Sequence, residues 1–190
     1  MNSWNQVRWT QARQVAAAMG LKDPGLPAEA VEPGTYCEQL RTAGRDEDAV
    51  AFLGHALSRF DTVAWAGHVL AEEAQEHSLP PADRQALDHA LRWLGDPSDA
   101  HRRTAHAAGR AADEGTPEQL LAMAVFFSGG SISAPDLPPV QPAPELAGRF
   151  ASGAVRLAAH RSSRPEQVLA RALEVGERVA TLGPAALTAA

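Results

Sequence analysis

One device recurs along this chain: a capping or turn residue, then proline, then apolar residues spaced three and four apart. Pro80-Pro81, Asp96-Pro97, Thr116-Pro117 and Arg164-Pro165 all follow it. Proline has a fixed φ and no N–H. It therefore suits the first turn of a helix, where that N–H would have no partner, and is unsuited to helix interiors and central strands. A chain marked in this way continues most simply as short helices joined by tight turns. No segment alternates β-branched and polar residues as a half-buried strand does. The reading is an all-α fold, a single domain of antiparallel helical hairpins with one long proline-rich loop.

Ser3 can cap a first helix from Trp4 to about Met19, with Trp9, Ala12, Ala16 and Met19 on one face. GLKDPGLPAEAVEPG, residues 20–34, is broken by glycine and proline too often for helix or strand and reads as a linker. The first helix then either stands apart or packs back through Trp4 and Trp9. Further helices are predicted over 35–43, 47–57 with Asp46 as cap, 59–76, 80–94, 98–113, 117–127, 145–161 and 165–182. The 59–76 segment carries Phe60, Val63, Ala64, Gly67, Leu70, Ala71 and Ala74 on one stripe. Small residues let helix axes come close, which places this helix at the centre. LLAMAVFF is apolar all round and should be the most buried segment. The plan divides into residues 1–34 (helix and linker), 35–183 (helical domain) and 184–190 (flexible tail).

With 190 residues, 45% of them hydrophobic, the chain can bury a real core. A net charge of −6 argues against a nucleic-acid partner, which needs a concentrated basic face. Arg102-Arg103, with His101, His106 and Arg110 nearby, reads as a solvated helix face, anion binding being the sharper alternative. Cys37 is the only cysteine, so no internal disulfide forms, and no base is evident that would make it a nucleophile. MNSWNQVRWTQ has neither the apolar core nor the cleavage site of a secretory signal, and no run is long enough to span a membrane. The expectation is a soluble cytoplasmic protein without membrane insertion.

The segment that breaks the helical pattern is Phe126 to Pro144, FFSGGSISAPDLPPVQPAP. A loop of this length inside a compact domain is more often functional than idle. Its Ser128-Gly129-Gly130-Ser131 turn follows a helix instead of feeding one and lacks the lysine of a phosphate loop. Gly129 is expected to end the helix in a left-handed cap and Gly130 to allow a sharp turn, with Ser131 and Ser133 bonding nearby backbone. The proline-rich part should be extended, with Leu137 and Val140 pointing outward. Phe126 and Phe127 could anchor the loop as an internal strap, or the whole loop could face a partner. The partner-contact set under the second reading is Phe126, Phe127, Ser128, Gly129, Gly130, Ser131, Leu137, Pro138, Pro139 and Val140.

Catalytic patterns are weak. His68, Glu72 and Glu76 share a helix face, with Glu73 and His77 beside them, but metal sites usually draw ligands from more than one helix. The simpler reading is a charged, water-facing side. His55, His89, His101, His106 and His160 are scattered, and no Gly-x-Ser-x-Gly elbow occurs. No catalytic residue, metal or cofactor is assigned. A small metal- or ligand-binding protein or enzyme using His68, Glu72 and Glu76 is the alternative.

FFSGGSISAPDLPPVQPAPELAGRFASGAVRLAA, with LGDPSDAHRRTAHAA upstream, resembles the signature of a family of uncharacterised bacterial proteins. That signature joins an aromatic-Ser-Gly-Gly-Ser core to proline-rich text and a small-residue helix, after an Asp-Pro-Ser start to an arginine-bearing helix. The likeness covers about residues 35–182, and Phe126-Phe127 stands where a Phe-Trp pair is expected. Such a family has no established activity, so the resemblance supplies no catalytic residues. It implies an adaptor or accessory role beside bacterial secretion or contractile-injection machinery. The function expected is a non-enzymatic protein–protein interaction module with a protein partner.

Overall fold

Proline stands in the first turn of four helices, as its geometry favours. The computed structural model describes residues 4–134 and 136–187. In order these form α1 (Ala12–Ala18), α2 (Pro33–Thr42), α3 (Asp46–Ala56), α4 (Arg59–Glu76), α5 (Pro81–Gly95), α6 (Asp99–Ala111), α7 (Pro117–Phe127), α8 (Leu146–Arg161) and α9 (Pro165–Leu182). No strand occurs among the described residues. The Ser58, Ser98 and Thr116 hydroxyls accept the backbone N–H groups of Asp61, His101 and Gln119, capping α4, α6 and α7. The Asp96-Pro97 cap is displaced by two residues. Ser98 takes the capping position, and Asp99 puts its charge in the positive first turn.

The N-terminal segment differs from its sequence reading. Helix α1 begins at Ala12 because Gln14 Oε1 accepts the Thr10 and Gln11 N–H groups at 3.0 and 3.1 Å, ending the extended stretch before it. Ser3 lies outside the described residues. Ala12, Val15 and Ala16 are fully buried, and Trp4 and Trp9 pack at the core's edge. The helix therefore packs back on the domain. At the other end, Pro184–Leu187 form a 3-10 turn with Ala186 buried, and the Ala186 carbonyl accepts from Arg178 Nη2 at 2.7 Å. The tail expected to be free from 184 is thus held as far as Leu187; residues 188–190 lie outside the description.

Consecutive helices pair, α5 with α6, α6 with α7, α7 with α8 and α8 with α9. The centre is shared: α4 touches α5, α7, α8 and α9, while α8 touches α3, α4, α7 and α9. Burial on α4 extends past the small-residue stripe to Trp65, Ala66 and Val69. The Trp65 Nε1–H donates to the Ala172 carbonyl at 2.8 Å, so the buried indole keeps its polar end satisfied and ties α4 to α9. Helix α7 buries seven of its eleven residues, Glu118 among them. That carboxylate is fully buried and bidentate with Arg161 of α8, at 2.9 and 2.8 Å. Helices α3 and α8 cross at Gly54 and Gly148, where a Cβ on Gly148 would lie 2.8 Å from the Gly54 oxygen.

Candidate interaction loop

Helix α7 delivers two aromatic side chains inward at the start of the loop. Phe126 is 5% exposed, and its ring stacks on His106 of α6 with centroids 3.8 Å apart. The Arg102 guanidinium lies 4.9 Å from the same ring. Phe127 meets Phe126 edge-on and stacks on Phe150 of α8, both at 5.3 Å. These contacts make the pair an anchor between α6, α7 and α8. Burial, and then the charges of Arg110, Arg102 and Arg103, hold His106 below its usual pKa.

Two arginines of α6 clasp the chain that follows. Arg102 is 3% exposed; its Nη1 donates to the Phe126 carbonyl and its Nη2 to the Ser131 carbonyl, each at 2.8 Å. Arg103 Nη2 donates to the carbonyls of Ser131 and Ser133 at 3.1 and 3.0 Å. Both Nε atoms reach the Asp99 carboxylate, at 3.0 and 2.9 Å, and these bonds hold its pKa below the usual range. A guanidinium presents five donors in a fixed plane, so one side chain can serve several acceptors at once. The solvated arginine face expected from sequence is replaced by this clasp, because Arg102 and Arg103 turn toward unpaired loop carbonyls. Asp99, three and four residues before the two arginines, was the sequence signal for an organised cluster.

Gly130, not Gly129, is the left-handed residue, with φ of 67°. Ser128 stays helical as the cap of α7, which moves the reversal on by one turn position. A Cβ at Gly130 would lie 3.0 Å from Arg102 Nε and Nη2, so glycine is needed for conformation and for closeness to the guanidinium.

Beyond the clasp the loop closes on itself. The Ile132 N–H donates to the Val140 carbonyl at 2.9 Å, and Ser131 Oγ accepts from the Ser133 and Val140 N–H groups, both at 3.1 Å. The Leu137 N–H donates to the Ala134 carbonyl at 3.0 Å; Pro135 lies outside the described residues. The ring presents Leu137 at 58% exposure and Val140 at 51%, with Pro138 and Pro139 exposed between them. Pro142 is buried and returns the chain to α8. The ten residues grouped from sequence therefore divide. Phe126 is buried and Phe127 half-buried against Phe150, Ser128 to Ser131 form the turn, and Leu137 to Val140 meet solvent.

The acidic face of α4 has another use. His68 Nε2 lies 3.2 Å from Glu72, but Glu72 also pairs with Arg171 at 2.9 Å and Glu76 with Arg164 at 3.2 Å. The bond from Arg171 lowers the Glu72 pKa. This face is a seam between α4 and α9 more than a water-facing side. Among the described residues no three His, Cys, Asp or Glu side chains are grouped to hold a metal. Cys37 is buried, and its thiol is pushed up to about 12, chiefly by burial.

Taken together, the contacts define an all-helical domain in which a turn of one helix holds a surface loop closed. The chain belongs to a family of unknown function, DUF6931, which matches residues 36–180, from α2 almost to the end of α9. No curated protein and no solved structure matches it. Among the described residues, no helix is long and apolar enough to cross a membrane.

Proposed function

We propose that this protein is a non-enzymatic protein-interaction module of the adaptor type, and that the ring over residues 131–140 meets its partner. One observation carries the reading. Four large hydrophobic residues are exposed among those described, Leu21, Leu137, Val140 and Leu182, and two of them ride on the clasped loop. A loop already tied in shape loses less conformational freedom on binding. Pro138 and Pro139 stiffen the stretch between the two apolar side chains. The chemistry suits a partner groove lined by apolar and aromatic side chains.

The test is capture from bacterial cytoplasm by the wild-type chain and by Leu137→Asp/Val140→Asp, with circular dichroism and melting to show that both fold alike. A partner held by the wild type and lost by the variant supports the reading. A partner held equally by both removes the loop from the interface. Its identity would also test an adaptor role beside secretion or contractile-injection machinery.

A further inference from the structure

A cleft of about 750 Å³ lies where the N-terminal segment and α1 meet the α3–α4 turn and the start of α8. Its size falls in the range of small-molecule sites. Arg8, Arg59 and Arg149 line it from three separate parts of the chain, and Glu145 is the one acidic residue in its wall. Among the described residues nine arginines pair with carboxylates, and none of these three does. Three guanidinium charges against one carboxylate leave the cleft with two positive charges, in a chain whose net charge is −6. A second cleft of about 700 Å³ is lined by Glu32, Glu38 and Glu177, with no basic residue in its wall. The two clefts carry charge of opposite sign.

We propose that this cleft binds a small phosphate monoester, its phosphate on Arg8, Arg59 and Arg149. A phosphate monoester carries about −1.5 to −2 charges at neutral pH, matching the excess in the cleft. Guanidinium groups bind phosphate oxygens in pairs. The proposal rests on none of the loop contacts.

Titration calorimetry on the full chain tests it, with glycerol phosphate, inorganic phosphate and glycerol as probes. Glycerol phosphate is expected to bind with Kd at or below about 1 mM, more tightly than inorganic phosphate, and glycerol not at all. Arg8→Gln and Arg149→Gln, both at exposed positions, should each weaken glycerol phosphate about tenfold. Arg92→Gln, outside the cleft, should bind as wild type. No binding of either phosphate by the wild type would overturn the site. So would equal losses in Arg92→Gln and Arg149→Gln, while equal affinity for the two phosphates would overturn a monoester as the ligand.

Discussion

Arg102 serves two loop carbonyls and Asp99 from one buried position, and no other natural side chain can reproduce that set. Lysine keeps the charge but offers a single ammonium on a flexible stem. Arg102→Lys is therefore expected to lose about 1–2 kcal/mol of stability in urea unfolding, since one ammonium cannot span the Phe126 carbonyl, the Ser131 carbonyl and Asp99 as the guanidinium does, although Arg103 still reaches Ser131. A change below about 0.5 kcal/mol would show that the clasp contributes little. His106 gives the loop anchor a pH dependence. Its pKa is lowered in the folded state, first by burial, so protonation favours unfolding. Stability should be full above the unfolded value near 6.5, decline as pH falls through it, and level off below the folded value. His55 shifts in the same direction for the same leading cause and adds to the decline. His106→Gln should reduce the loss between about pH 7 and 5, measured by melting across that range.

At the scale of elements, the helix starts were legible wherever the signal is local. Proline in the first turn and a hydroxyl cap need no tertiary contact to act, so α5, α7 and α9 begin close to where sequence puts them. The misreadings share a different cause. The start of α1 depends on the Gln14 side chain, and the position of the left-handed glycine on how far α7 persists before Arg102 closes against Gly130. Long-range pairs left no periodic signal at all. Glu118 of α7 looks like an ordinary first-turn acid, yet it is buried and paired with Arg161. Arg161→Met should strand that carboxylate and cost about 3–5 kcal/mol, far above a surface substitution. Denaturant titration beside Arg164→Met, whose partner Glu76 is exposed, makes the comparison.

At the scale of the whole molecule, the all-α class, the long loop and the family resemblance were readable from sequence, and membership of DUF6931 agrees with the last. The division of the loop was not. Its aromatic start and its proline-rich end look equally suited to a partner in one dimension. Only His106, Phe150 and the two arginines, brought from other helices, turn Phe126 and Phe127 inward and leave Leu137 and Val140 outside. The cleft with Arg8, Arg59 and Arg149 was equally hidden, since its walls come from distant parts of the chain. The central claim is that the loop is held in shape before any partner arrives. Amide hydrogen exchange at Ile132, Ser133 and Val140 in the isolated protein tests it most directly. We expect protection of about tenfold or more over an unstructured peptide in the wild type, lost in Arg102→Lys while the helix cores stay protected. Exchange of these amides at the unstructured rate in the wild type would contradict the account.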